Sequence, residues 1–197
     1  MKSFLHVGCG PQNKSAIKGF NTAEWKEIRF DIDENVNPDI RGTLTDMSLV
    51  DSSSMDAIFS SHNIEHIFAH EVPIALREFF RVLKDDGVVV VTCPDLQSVC
   101  DAVANNKLLE PLYISPVGPI SPIDILYGHR EFIANGNIYM AHKCGFTYQT
   151  LADAFYEAGF KTNYGGSRPQ AYDIWLIASK NEKSIEDLQN LALEFLP

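Results

Sequence analysis

The chain has 197 residues, of which 45% are hydrophobic and 21% charged, and a formal net charge of −10. This fits one globular domain large enough for a real core, and no apolar run approaches the roughly 20 residues of a membrane helix. The acidic balance argues against nucleic acid as the main partner, because phosphate binding draws on clustered Lys and Arg.

The first apolar run, Phe4 to Val7, reads as a buried strand and stops at Gly8-Cys9-Gly10-Pro11. The glycines permit a sharp turn and leave room for a ligand at the strand's carboxyl end. The segment Gln12 to Glu24 lacks a clean helical stripe, with only Ala16, Ile17 and Phe20 as apolar anchors, so a short helix or an irregular loop is expected. Trp25 to Phe30 alternates like a half-buried strand and ends at Asp31-Ile32-Asp33. Pro38 to Gly42 reads as a short edge-like strand with its proline first, and Asp51 to Ser54 as a turn. Met55 to Ser60 is the next buried strand, and it runs into the polar cluster Ser61-His62-Asn63-Ile64-Glu65-His66.

Glu71 to Leu83 carries Val72, Ala75, Leu76, Phe79, Phe80 and Leu83 at helical spacing. Asp85-Asp86-Gly87 turns that helix into Val88 to Thr92, a β-branched run typical of a covered parallel strand. Pro94-Asp95-Leu96 opens a helix to about Asn105. Residues 107–143 then bring Pro111, Pro116, Pro119 and Pro122 together with Tyr113, Tyr127 and Tyr139. So long an aromatic and proline-rich stretch inside one domain is usually functional, and a substrate cap or a homodimer interface is expected there. Phe146 to Ala158 is amphipathic and Gly159 stops it. Gly165 to Pro169 reads as a hairpin loop. Ser184 to Leu196 reads as a C-terminal helix that covers a sheet edge or meets a partner subunit. The alternation of strands and helices describes a doubly wound α/β sheet in a single domain, 1–197.

Asp31 lies 21 residues after Gly10, the distance at which an acid ending the second strand hydrogen-bonds a ribose. Asp46 and Met47 suit an adenine, the carboxylate for the amino group and the thioether for the ring. The cysteines Cys9, Cys93, Cys100 and Cys144 form no CxxC pair, so free thiols are expected. No basic leader precedes the first strand, so a cytoplasmic protein is expected. His62, His66 and His70 share a helical spacing. Zinc motifs of that kind need a formed helix, whereas His62 falls in a strand-end loop, so no metal is expected.

Leu5-His6-Val7-Gly8-Cys9-Gly10, Phe30-Asp31-Ile32-Asp33, Thr45-Asp46-Met47, Met55 to His62 and Leu83 to Val88 resemble, in order, the motifs of class I S-adenosylmethionine-dependent methyltransferases. Glu65-His66 is similar to the pair that follows the fourth strand in the small-molecule branch. Gly145-Phe146-Thr147 to Leu151, with Glu157 to Phe160, resembles the last helix and the turn into the final hairpin. Gln12 stands where the family commonly has a third glycine. The resemblance implies a Rossmann-like, seven-stranded sheet with its last strand antiparallel, closed by a hairpin of Phe160 to Tyr164 and Ala171 to Ala178, and S-adenosyl-L-methionine as cofactor. It implies Gly8 and Gly10 beside the methionine part, Asp31 at the ribose, Asp46 and Met47 at the adenine, and Ser61 and His62 near the sulfur, with Val7 and Ile32 also among the cofactor-binding residues.

Methyl transfer from a sulfonium needs alignment, exclusion of water and, for a hydroxyl acceptor, a base. Histidine suits that work near neutral pH; His66 and His142 are the catalytic candidates, and Tyr127, His129 and Tyr139 the substrate-binding ones. A small-molecule acceptor is expected. Two other function classes share parts of the pattern: a nicotinamide-dependent oxidoreductase, which would want the last glycine of GxGxxG and a helix behind it, and a non-catalytic cofactor-binding or interaction module.

Overall fold

The computed structural model describes residues 1–197. In chain order its main elements are β1 (Lys2–Val7), β2 (Trp25–Asp31), β3 (Ile40–Arg41), β4 (Met55–Ser61), α1 (Val72–Val82), β5 (Leu83–Pro94), α2 (Leu96–Ala104), β6 (Tyr113–Ser115), β7 (Gly118–Ile120), α3 (Pro122–Tyr127), α4 (Arg130–Ala134), α5 (Tyr148–Glu157), β8 (Thr162–Arg168), β9 (Asp173–Ser179) and α6 (Ile185–Phe195). Seven strands form one sheet in the order β3-β2-β1-β4-β5-β9-β8. The first five are parallel, and β9 runs antiparallel to both β5 and β8. This is the doubly wound α/β sheet with an antiparallel last strand that the resemblance implied.

Register places the site. Val7 of β1 lies beside Phe30 of β2 and Ser60 of β4. Three strands therefore end level, and the loops starting at Gly8, Asp31 and Ser61 leave the sheet side by side. The chain reverses direction between β1 and β4, which is the switch point where open α/β sheets bind ligands.

Successive strand residues face opposite sides, and two cores result. Leu5, Val7, Ile58, Val89 and Val91 pack with Leu76 and Phe79 of α1 and Leu151 and Phe155 of α5. Phe4, Ala57, Phe59, Val88 and Val90 form the other core with Ile17, Phe20, Trp25 and Phe195. On that second side the unit after β1 has no long helix, only a single turn at Lys14–Ala16. Aromatic packing fills the space: the Phe20 ring lies 4.3 Å from Phe4, 4.9 Å from Trp25 and 4.7 Å from Phe195, centroid to centroid. A Cβ on Gly19 would collide with Phe195. The C-terminal helix thus covers a sheet face beneath the first loop, where the sequence suggested an edge or a partner subunit.

Three boundaries differ from expectation. β5 starts at Leu83, because Leu83 pairs with Met55 ahead of a bulge. Pro38 lies outside β3, whose ladder is only two residues long. The closing hairpin turns after Arg168, with Gly165 to Arg168 paired in β8. Gly165 is in the strand because its backbone lies against the Trp175 carbonyl, where a Cβ would collide.

Candidate functional site

A cavity of about 410 Å³ opens above the level strand ends, within the roughly 300–1,000 Å³ of small-molecule sites. Its floor is Val7, Gly8, Gly10 and Pro11 from the first loop; one wall is Asp31, Ile32 and Asp33; another is Gly42, Thr43, Leu44 and Thr45. His62, Asn63, His66 and Ile67 come from the β4 end, and Asn137, Tyr139, Met140 and Lys143 from the insertion.

The first loop is held open by its backbone. Gly8 has φ +66° and Gly10 φ +51°, a region that L side chains avoid. The Gly8 N–H donates to the Phe30 carbonyl at 2.9 Å, and a Cβ on Gly8 would run into the Asn63 amide. The Gly10 N–H donates to Asp31 Oδ2 at 2.8 Å, and the Asp33 N–H to Asp31 Oδ1 at 2.9 Å. Each carboxylate oxygen keeps a further lone pair for a ligand hydroxyl. Arg29 braces the loop from below, donating to the carbonyls of Gln12, Val36 and Asn37. Beneath it, the His6 ring lies 2.7 Å from Glu27. Burial lowers the His6 pKa, and Glu27 offsets that only in part.

Val7, Gly8, Gly10, Asp31, Ile32 and His62 all line the cavity. Asp46, Met47 and Ser61 do not. The Asp46 side chain points to solvent and accepts from the Ser48 N–H at 3.0 Å, closing its own turn; that contact with Ser48 lowers its pKa. Met47 is fully buried in the larger core, and its N–H donates to Glu78 at 2.8 Å. The wall expected from these two is formed by Gly42 to Thr45, just upstream. Ser61 is the last residue of β4, paired with Thr92. The turn that follows, with His62 at φ +48°, directs His62 and Asn63 to the cavity.

Among the acceptor-side candidates, His66 and Tyr139 line the cavity, whereas Tyr127 and His129 do not. Tyr127 is exposed and uses its carbonyl to accept from the His142 N–H. His129 caps α4, its Nδ1 accepting from the Phe132 N–H at 3.4 Å. His142 stands behind His66, ring centroids 4.8 Å apart. Glu65, His66 and His142 offer ligand atoms within 4.8 Å of one another.

Glu65 is 1% exposed, and neither of its oxygens has a hydrogen-bond donor. The half-exposed His62 approaches Oε1 only to 3.5 Å, too long for a good bond. Burial pushes the Glu65 carboxyl up, but the imidazoles of His62, His66 and His142 outweigh it and hold the group below its usual range. The insertion is tied to this point: the N–H groups of Lys143 and Cys144 donate to the Glu65 carbonyl at 2.8 and 3.2 Å. Gly128 makes the approach feasible, since a Cβ there would strike Met140. Sequence reasoning gave no role to Asn63, Thr43 or Thr45, which only their nearness to strand ends could have flagged, whereas Lys143 closes the stretch Tyr139 to Lys143 that the sequence offers for substrate contact.

After Gly10 no long helix presents its N-terminus, so a dinucleotide's pyrophosphate lacks the seat it uses in Rossmann dehydrogenases. Residues 5–91 match the model of a family described as a methyltransferase domain. No curated protein sequence matches the chain. Among solved structures, an S-adenosylmethionine-dependent methyltransferase from Thermotoga maritima is 15% identical, with TM-score 0.56 over 92% of this chain and 83% of that one. A second, from Archaeoglobus fulgidus, is 14% identical with TM-score 0.55, over 90% and 85%. An O-methyltransferase family protein from Burkholderia thailandensis is 11% identical with TM-score 0.57, over 93% and 52%. These structures share the fold, and the family match covers the loops at the ends of β1, β2 and β4 that line the cavity, but not the insertion. The fold is that of S-adenosylmethionine-dependent methyltransferases, and residues 5–91 carry the methyltransferase-domain match.

Proposed function

We propose that the chain methylates a small-molecule acceptor inside this cavity, beneath a cap formed by residues 107–143. One observation carries the reading: the insertion residues Asn137, Tyr139, Met140 and Lys143 line the same chamber as the glycine loop and Asp31. Cofactor side and acceptor side are then two walls of one space. The net charge of −10 speaks against a nucleic-acid acceptor.

The open glycine loop and the spare lone pairs of Asp31 fit an adenosyl cofactor. The cofactor supplies an electrophilic methyl on a positively charged sulfur. Asp31 accepts from the ribose hydroxyls, and Ile32 packs beside them. Gly42 to Thr45 border the adenine. Gly8 and Gly10, with Val7, leave the path for the methionine portion, and His62 stands at its reacting end. Tyr139 and Met140 cover the acceptor and exclude water.

His66, which lines the cavity, activates the acceptor, with His142 packed behind it. Each uses Nδ1 toward a backbone carbonyl, His66 to Ala141 at 3.1 Å and His142 to Ile125 at 2.6 Å. A carbonyl only accepts, so Nδ1 carries the proton and Nε2 keeps its lone pair. In the metal-free protein the His66 lone pair can take an acceptor's proton.

The test is transfer of a labelled methyl group from S-adenosylmethionine to fractionated cell extract. Label in the small-molecule fraction, lost with Asp31→Ala, is the expected result. Label confined to protein or nucleic acid would overturn the acceptor reading.

A further inference from the structure

We propose that Glu65, His66 and His142 form a binding site for a divalent cation of the zinc type. The sequence reading considered His62, His66 and His70. The fold instead recruits His142 from the far end of the insertion, and the three residues place one carboxylate and two imidazoles within 4.8 Å of one another.

Three independent features support the site. The first is composition: two histidines and one glutamate are a known catalytic zinc set, leaving a fourth position for water or a ligand. The second is the unpartnered carboxylate. Glu65 is 1% exposed, with no donor on either oxygen, and a buried carboxylate needs a counter-charge. His62 at 3.5 Å is half in solvent and supplies no hydrogen bond. The third is the outer shell. Metal-bound histidines characteristically donate their other ring N–H to a carbonyl or carboxylate. Both rings do so here, to Ala141 and to Ile125, which leaves each Nε2 free to ligate.

Ligand atoms around a tetrahedral zinc with bonds near 2.0–2.1 Å stand roughly 3.4 Å apart. Closing the widest pair therefore takes about 1.5 Å, within reach of side-chain rotation. His142 belongs to the insertion and Glu65 to the β4 end, so the ion would clasp cap to sheet beside the cavity that His66 lines. The binding stands apart from the acceptor reading. Only the ion's use, to hold an acceptor heteroatom at the fourth position, rests on it.

The experiment loads metal-stripped protein with Zn²⁺ and, separately, Co²⁺, without cofactor. The proposal expects one Zn²⁺ per chain by calorimetry and elemental analysis. With Co²⁺ it expects visible absorption bands of a four- or five-coordinate nitrogen–oxygen site. His142→Ala should weaken binding at least 100-fold, and Glu65→Gln at least tenfold. His142→Gln provides a second variant should the alanine protein fail to fold. His70→Ala, His129→Ala and Cys100→Ser should bind as the parent does. Absence of stoichiometric binding in the parent would overturn the site. So would binding undiminished in His142→Gln, or binding lost with Cys100→Ser. Failure of methyl transfer with zinc binding intact would overturn only the acceptor reading.

Discussion

Asp31→Asn separates what the second-strand acid does for the fold from what it does for the cofactor. Its two oxygens accept from the N–H groups of Gly10 and Asp33 at 2.8 and 2.9 Å. Asparagine keeps one acceptor and turns the other into an NH₂ facing a donor, so one backbone N–H loses its partner. Hydrogen bonds to charged groups contribute about 1.5–3 kcal/mol. Asp31 is only half-buried, water replaces part of the lost bond, and the stability loss should be about 1 kcal/mol. A ribose hydroxyl bound to the carboxylate gains no such replacement once the cavity is filled. Affinity should therefore fall by about 1.5–3 kcal/mol, or roughly 10- to 150-fold. Calorimetry with S-adenosylhomocysteine reads the affinity and urea melts read the stability. Unchanged affinity with reduced stability would refute the ribose role and leave Asp31 as a staple on Gly10.

Three further predictions address the loop, the cap and the floor. Gly8→Ala should weaken S-adenosylhomocysteine binding through both the collision with Asn63 and the strain of φ +66°, the latter about 1–2 kcal/mol; Gly8→Ala with Asn63→Ala should recover only part, and full recovery would remove strain from the account. In the cap, Asp124 is 7% exposed and takes hydrogen bonds from Arg130 and Ser121. Burial alone would raise its pKa, but those bonds outweigh it and hold it well below the usual carboxylate range. A depressed folded pKa stabilises fully above the unfolded value of about 3.9 and is lost as pH falls through the folded one. Asp124→Asn should thus destabilise at pH 7 by about 1–3 kcal/mol, and the gap to the parent in urea melts should narrow below pH 4. Phe195→Ala empties a 3% exposed site against Phe20 and Trp25 and should cost about 3–5 kcal/mol, lowering Tm by roughly 10 °C.

The sheet was legible because its strands are continuous apolar runs closed by glycine or acid, and because Leu5 to Gly10 and Phe30 to Asp33 stand at a recognisable distance. The site was legible only where it hangs directly on those strand ends. Gly8, Gly10, Asp31 and His62 follow from strand geometry. Asp46 and Met47 do not, because the turn after β3 rotates one side chain to solvent and the next into the core. The meeting of Glu65 and His66 with His142 depends on long-range packing of the insertion, which no local period records. Likewise Tyr127 and His129 look like their neighbour Tyr139 in sequence, yet Gly128 and the α4 cap turn them away from the cavity.

The Phe195 contact also bears on how the protein is made. The aromatic surface of Phe4, Phe20 and Trp25 leaves the ribosome well before its cover, which belongs to α6. Until that helix emerges, the underside of the first loop faces water or a chaperone. Synthesis delivers the floor of the cavity before its support. The nascent domain should therefore gain S-adenosylmethionine affinity in one late step, when α6 docks.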